Sequence, residues 1–150
     1  KDTVELIRNS PEISTHHQID YSFSNPEDSF QCQGDPDLIR QIYWNLCGNA
    51  VKAMPEGGHL SINLEIAKPG EVKISFKDTG RGFTPEEQEK IFEPFQSSFS
   101  GGTGLGLSIV SQIIAAHNGS ITVNSVKGQG TVFQITLPRF PEVPDMALSA

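Results

Sequence analysis

The chain of 150 residues is poor in cysteine and in cationic side chains, and it contains no long apolar run. Its two cysteines, Cys32 and Cys47, lack the C-x-x-C spacing of a zinc or redox site, so we expect small, half-buried side chains in a reducing compartment. Eleven lysines and arginines against 18 aspartates and glutamates give a formal net charge of −7. This charge argues against binding to nucleic acid or to anionic membranes. No segment has the length and apolarity needed to span a bilayer.

The remaining composition, 36% hydrophobic and 19% charged, is that of one globular domain with a core. The chain begins at Lys1 rather than at methionine, and we expect it to be a piece of a longer protein. Residues 1–14 are predicted to be the remnant of a connecting helix that Pro11 ends. Residues 15–138 form the predicted domain, and residues 139–150 a flexible tail.

Alternation of apolar and polar residues predicts the strands. It occurs around residues 19–23, 60–66, 72–76, 121–123 and 132–135, and residues 29–33 are a further candidate. Capping signals predict three helices: Asp35-Pro36 opens one that runs to Met54, and Thr84 opens a short one that runs to Phe92. The third, with Leu105, Ile109, Ile113 and Ala116 on its inner side, ends at Asn118-Gly119. These elements predict a two-layer α/β sandwich, a mixed sheet of about five strands covered on one face by three helices.

The first predicted helix carries a polar stripe of Asn45, Asn49 and Lys52, at positions i, i+4 and i+7. Amide oxygens suit Mg²⁺, and an ammonium group suits a phosphate. Taken alone, the stripe is equally compatible with an ordinary solvated helix face.

Two glycine-rich segments follow. Asp78-Thr79-Gly80-Arg81-Gly82-Phe83 comes directly after a strand, so its carboxylate is placed to accept a hydrogen bond from an amino group, although such a segment is also a common turn. Residues 101–107, G-G-T-G-L-G-L, run into the third helix, where successive amides favour an anion. The second segment has neither the Rossmann nor the Walker A spacing.

Together these segments resemble the N, G1, F and G2 boxes of sensor histidine kinases, within the wider GHKL superfamily of gyrase, chaperone and mismatch-repair ATPases. The matching motifs stand in order along the chain: N-L-C-G-N-A-V-K-A (45–53), D-T-G-R-G-F (78–83), I-F-E-P-F (91–95), G-G-T-G-L-G-L (101–107) and a late G-T-V-F (130–133). The resemblance covers roughly residues 15–138. The M-P-E-G-G segment (54–58) is most similar to nitrogen-regulation and pilus-type sensor kinases.

The resemblance implies a Bergerat-type fold that binds ATP with Mg²⁺. It implies that Asn49 coordinates the metal with help from Asn45, that Lys52 approaches the phosphates, and that these three residues serve catalysis. It implies that Asp78 accepts the adenine amino group, that residues 93–102 form a lid, and that Phe92 and Phe95 anchor this lid. The remaining implied nucleotide contacts are Gly80, Gly82, Phe95, Gly102, Thr103, Gly104, Leu105, Gly106 and Thr131.

Two departures shape the expected chemistry. Gyrase-type and chaperone-type ATPases carry a water-activating glutamate where this chain has Asn45, and an amide cannot accept that proton, so we expect very slow hydrolysis and transfer to a protein. Residues 93–107 contain no lysine or arginine, which leaves Mg²⁺, backbone amides and Lys52 to meet the phosphate charge.

The phosphoacceptor is expected to lie outside this chain. The family's acceptor stands in an H-E-x-x-x-P context, and none of the four histidines, His16, His17, His59 and His117, has it. We expect the γ-phosphoryl group to go to a histidine on a separate helical dimerisation domain of the same protein, and then to a response regulator. The isolated domain is expected to be a cytoplasmic monomer, whether or not the whole protein is anchored in a membrane. The alternatives are an anti-sigma-type serine kinase and a catalytically inactive nucleotide-binding module.

Overall fold

The structure is a computed structural model that describes residues 9, 13, 15–24, 34–96 and 104–139. Within these residues the chain forms five strands and three helices. In chain order they are β1 (His17–Phe23), α1 (Pro36–Ala53), β2 (Gly58–Lys68), β3 (Glu71–Asp78), α2 (Pro85–Lys90), α3 (Gly106–Ala116), β4 (Ser120–Val126) and β5 (Gly130–Pro138).

The strands form one mixed sheet in the order β1-β2-β3-β5-β4. β1 runs parallel to β2, and α1 lies between them in the sequence as the crossover that a parallel pair requires. The other three pairings are antiparallel. The predicted mixed five-stranded α/β fold is confirmed.

The core lies on one face of the sheet. The side chains on this face form rows that cross all five strands, because each residue lies opposite its partner in the neighbouring strand. One such row runs from Tyr21 through Ile62, Phe76 and Phe133 to Val123. The next row runs from Phe23 through Leu64, Ile74 and Ile135 to Ile121. Alternate positions of a strand point to the same face, so these rows give the helices a continuous apolar surface to cover.

The helix α1 begins where the sequence predicts it. Asp35 is its N-cap and accepts a 2.8 Å hydrogen bond from the Asp37 backbone N–H, while Pro36 occupies the first helical position. Its core face is fully apolar, and the buried residues are Ile42, Leu46, Cys47, Ala50, Val51 and Ala53. The polar stripe therefore lies on the flank of a helix that is firmly packed.

A histidine holds the end of α3 against the start of α1. His117 Nδ1 donates to the carbonyl of Ile113 at 2.7 Å, and its Nε2 accepts from the backbone N–H of Asp35 at 3.2 Å. Only a neutral imidazole with its proton on Nδ1 makes both bonds. His17 and His59 also have polar partners, the carbonyl of Met54 and the carboxylate of Asp20. These three histidines therefore make polar contacts within the fold.

Two details of the helices differ from the sequence prediction. α2 has the predicted capping box between Thr84 and Glu87, but it ends at Lys90 and not at Phe92. In α3 the predicted inward position of Ala116 is wrong, since that residue is exposed and the buried ones are Ser108, Val110, Ile113 and Ile114. The helix is apolar on several sides, so residue spacing alone does not select its inner face.

Several predictions fall on residues that the structure does not describe. These are the end of the connecting helix before Pro11, the candidate strand at 29–33 and the tail beyond residue 139. The predicted domain boundaries accordingly remain predictions. In the described part of the chain, no helix combines the length and apolarity needed to cross a bilayer.

Candidate functional site

The third row of the core face is polar where its neighbours are apolar. It pairs Leu60 with Asp78, Asp78 with Thr131, and Thr131 with Ser125. Asp78 is 5% exposed, Thr131 2% and Ser125 8%. They are three of the four buried polar side chains among the described residues. Burying polar groups is costly unless each is hydrogen-bonded. A concentration of them in one row therefore marks this edge of the core as a candidate site.

Asp78 is the last residue of β3 and the most unusual member of the row. Its carboxylate accepts hydrogen bonds from the backbone N–H groups of Gly80, at 2.8 Å, and of Thr131. Burial raises the pKa of Asp78, and the two backbone hydrogen bonds oppose that rise. A carboxylate offers about four acceptor positions, so it retains capacity for a donor from a ligand.

The loop after Asp78 fits tightly between α1 and the β4–β5 hairpin. Gly82 has φ +64°, and a Cβ there would lie 2.2 Å from the carbonyl oxygen of Val126. A Cβ on Gly80 would lie 2.7 Å from the carbonyl oxygen of Ala53, which also accepts from the Arg81 backbone N–H at 3.0 Å. Both glycines are thus required by backbone packing. Their predicted contact with a nucleotide stays a prediction.

Ser125 is a residue of this site that the sequence analysis missed. Its hydroxyl lies 2.8 Å from the Phe83 backbone nitrogen, 2.8 Å from the Gly130 carbonyl oxygen and 2.8 Å from the Thr131 hydroxyl. The available signal was a hydroxyl at an inward position, since Ser125 continues the alternation of Ile121 and Val123. That signal gains meaning only once β5 is known to place Thr131 opposite it.

The polar stripe of α1 lies beside the start of α3. Asn45 donates from Nδ2 to the carbonyl of Gln41 at 3.0 Å, and its Oδ1 would lie 3.1 Å from a Cβ placed on Gly106. The Asn49 side chain is half-buried and makes no hydrogen bond within the described residues, while Lys52 is exposed and forms no ion pair among them. The structure therefore brings the first predicted stripe to the helix that follows the glycine-rich segment.

The donor set at this end suits a magnesium ion that arrives with a phosphate ligand. With its nitrogen committed to Gln41, Asn45 presents an oxygen, and Asn49 supplies a second amide. In the described ranges no group of three histidine, cysteine, aspartate or glutamate side chains is placed to hold a metal on its own. Mg²⁺ commonly takes one or two protein oxygens and fills its other positions with phosphate and water. The two asparagines fit that role.

The stretch of α1 between Asn45 and Ala53 connects the two ends of the site. It is about 12 Å long at 1.5 Å per residue. Its Ala53 end contacts the loop that follows Asp78, and its Asn45 end contacts Gly106. An elongated ligand lying along it would meet a buried carboxylate at one end, and amide side chains with a helix N-terminus at the other.

The described residues at the borders of the predicted lid give a mixed result. Phe92 packs edge-on against Phe133 at 6.4 Å between ring centroids, as an anchor should. The side chain of Phe95 is 77% exposed, so its predicted anchoring role is wrong, and its backbone, at φ +63°, instead packs against Gly104. Nucleotide contacts of Phe95, Gly104 and Leu105 stay predictions. Gly102 and Thr103 lie outside the described residues.

Known proteins match this chain over most of its length. Residues 34–141 match the family described as histidine kinase-, DNA gyrase B- and HSP90-like ATPases. Sporulation kinase E of Bacillus subtilis strain 168 is 36% identical over 139 residues, which covers 92% of this chain and 18% of that protein. The chain thus spans less than a fifth of this relative.

Solved structures agree in fold. The mycobacterial sensor histidine kinase MprB aligns with a TM-score of 0.80 at 28% identity, covering 93% of this chain and 91% of that one. Full-length ShkA in complex with AMPPNP also aligns with a TM-score of 0.80, at 34% identity, covering 93% of this chain and 29% of that one.

Proposed function

Because the chain belongs to the family of histidine kinase-, DNA gyrase B- and HSP90-like ATPases, we propose that it is the catalytic, ATP-binding domain of a sensor histidine kinase. It binds Mg-ATP and passes the γ-phosphoryl group to a histidine on a helical dimerisation domain outside this chain. The names of several matching proteins support this choice within the family, since they are sensor or sporulation kinases. The phosphoryl group then passes to a response regulator.

The observation that carries the proposal is the buried carboxylate of Asp78 at one end of α1. A buried carboxylate with spare acceptor positions accepts a donor from a ligand, and the exocyclic amino group of adenine is such a donor. Guanine has a carbonyl oxygen at that position, which would face the same carboxylate unfavourably. The site therefore favours adenine.

The phosphate end supports transfer to a protein rather than to water. Asn45 and Asn49 would hold Mg²⁺, which neutralises phosphate charge when it is bound. The amide of Asn45 has no basic group with which to activate water, and its nitrogen already donates to Gln41. Lys52, exposed about one turn beyond Asn49, would meet the phosphates. Phosphoryl transfer requires little more than such positioning and charge neutralisation.

Isothermal titration calorimetry of the chain with ADP and GDP, each with Mg²⁺, tests the nucleotide site. We expect binding of ADP that depends on Mg²⁺ and is at least about tenfold tighter than binding of GDP, since one mismatched hydrogen bond to a charged group costs that much. Failure to bind either nucleotide would contradict the proposed function.

A transfer assay then tests the acceptor. With the helical hairpin of its own full-length protein supplied, the chain should form acid-labile phosphohistidine from radiolabelled ATP. Without the hairpin, hydrolysis should stay near the uncatalysed background. Acid-stable phosphoserine on a partner would favour an anti-sigma-type kinase, and nucleotide binding without any transfer would favour an inactive regulatory module.

A further inference from the structure

We infer that Ser125 sets the purine specificity of the site, because its hydroxyl fixes the direction in which the hydroxyl of Thr131 donates. The inference rests on the proposed function and concerns a residue that contacts no ligand. Ser125 would be a positioning residue, acting on the nucleotide through Thr131. It explains why a serine occupies an inward, 92% buried position at the polar end of the core.

The donors and acceptors around Ser125 decide which hydroxyl donates in its hydrogen bond with Thr131. A serine hydroxyl has one proton and two lone pairs. The Gly130 carbonyl only accepts, so the Ser125 proton goes to that oxygen at 2.8 Å. The Phe83 N–H only donates, so it occupies one lone pair, also at 2.8 Å. The Thr131 hydroxyl, 2.8 Å away, must then donate its proton to the remaining lone pair.

The consequence is that Thr131 has no hydroxyl proton left for a ligand. Its oxygen presents lone pairs only, and its neighbour in the row, Asp78, is also an acceptor when ionised. Two adjacent acceptors favour a ligand edge that carries donors. The 6-amino group of adenine has two N–H donors, whereas a 6-oxo purine places a third acceptor at that position and carries its donor on N1 instead.

The position of Ser125 is fixed from both sides, which makes this polarity a stable property of the fold. On one side β4 pairs with β5, so that Ser125 stands opposite Thr131. On the other side, the Gln88 side chain of α2 accepts from the Ser125 N–H at 3.1 Å and donates to the Ser125 carbonyl at 3.0 Å. The amide thus satisfies both backbone groups of Ser125 on the open edge of the sheet.

The test compares ADP with inosine diphosphate, which carries an oxo group in place of the 6-amino group. Calorimetry with Mg²⁺ gives the ratio of the two dissociation constants for the unmodified chain and for Ser125→Ala. Without Ser125, the Thr131 hydroxyl is free to donate to the 6-oxo group. We expect the preference for ADP to fall about tenfold, the effect of one hydrogen bond changed from unfavourable to favourable.

Two further variants distinguish an effect of the Thr131 hydrogen-bond direction from a general loss of structure around the site. Ser125→Thr keeps a hydroxyl and should retain most of the ADP preference. Thr122→Ala removes an exposed hydroxyl from the same strand and should leave the preference unchanged. If Ser125→Ala weakens both ligands equally, the serine is only structural and the inference fails. In that case the proposed nucleotide site still stands. Equal binding of the two ligands by the unmodified chain would instead contradict both the inference and the recognition of adenine by Asp78.

A measurement on the unmodified, nucleotide-free chain covers the case in which Ser125→Ala does not fold. In an NMR spectrum, the buried Thr131 hydroxyl proton should exchange slowly with water and show a nuclear Overhauser effect to the Ser125 β protons. A Thr131 hydroxyl proton close to Asp78 instead would overturn the inference.

Discussion

At the scale of single residues, the charged form of Asp78 in the site lowers the stability of the folded domain. Because burial raises the pKa of Asp78 in the folded state, folding favours its neutral form. Its contribution to stability is therefore fully present below the unfolded pKa, near 3.9, and is lost as the pH rises through the higher folded pKa. At neutral pH the nucleotide-free domain carries a charged acceptor at the expense of stability.

Asp78→Asn should consequently separate stability from binding. The variant cannot ionise at this position, so it does not lose stability as the pH rises. Its free energy of unfolding minus that of the unmodified chain should therefore increase between about pH 4 and pH 7. Urea unfolding without nucleotide at the two pH values measures this. ADP affinity at pH 7 should fall by at least about tenfold, because a charge-assisted hydrogen bond is lost.

An exposed aspartate provides the control for the binding half of this prediction. Asp37→Asn removes a carboxylate from the first turn of α1, away from the polar row, and should leave ADP affinity unchanged. Unchanged ADP affinity in Asp78→Asn would show that this carboxylate does not recognise the purine. A relative stability that does not vary with pH would refute the argument from burial.

Cys47 shows how position within α1 decides chemistry. It lies between Asn45 and Asn49 in sequence, yet its thiol faces the core, and burial raises its pKa to about 12. The thiol is therefore protonated and unreactive at neutral pH. The sequence predicts a small, half-buried side chain at this position, and the structure buries it completely.

At the scale of elements, a glycine in α1 and a glycine in the loop after Asp78 differ in whether a side chain could replace the hydrogen. A Cβ on Gly48 would meet nothing within 4 Å, so this glycine costs helix stability without a packing reason among the described residues. Gly82 has a left-handed backbone and would clash with Val126. Gly48 therefore lies on a helix face with room for a side chain, whereas Gly82 lies in the closely packed loop that borders the site.

The pair gives a direct comparison. Gly48→Ala should raise the free energy of unfolding by about 0.5–1 kcal/mol and leave ADP binding unchanged. Gly82→Ala should lower it by roughly 1–3 kcal/mol because of the strained backbone, and should weaken ADP binding. Chemical denaturation and calorimetry on the two variants check both results. A destabilised Gly48→Ala or a neutral Gly82→Ala would contradict this account of the loop and the helix.

Elements with a strong local signal could be predicted from the sequence, and those without one could not. The Asp35 cap and the Thr84 capping box fix where α1 and α2 begin, so both starts were predicted. The inner face of α3 was not, because its apolar residues surround the helix axis. Gln88 gave no signal at all, since an amide on a short helix reveals its role only when the edge strand beside it is known.

At the scale of the whole molecule, strand order creates the site. β5 lies between β3 and β4, which places Asp78, Thr131 and Ser125 side by side although they are up to 53 residues apart in the sequence. Alternation predicts that strands exist but not which ones are neighbours. Asp78 was therefore a candidate through its place at a strand end, Thr131 through family resemblance alone, and Ser125 was missed. Of the glycine-rich segment, only the end from Gly104 onward is described.

The most direct test is a crystal structure of the chain with AMPPNP and Mg²⁺. We expect the 6-amino group of the adenine within hydrogen-bond distance of the Asp78 carboxylate, and the phosphates between Asn45, Asn49 and the first turn of α3. A nucleotide bound elsewhere, or bound here with its purine directed away from Asp78, would contradict the account.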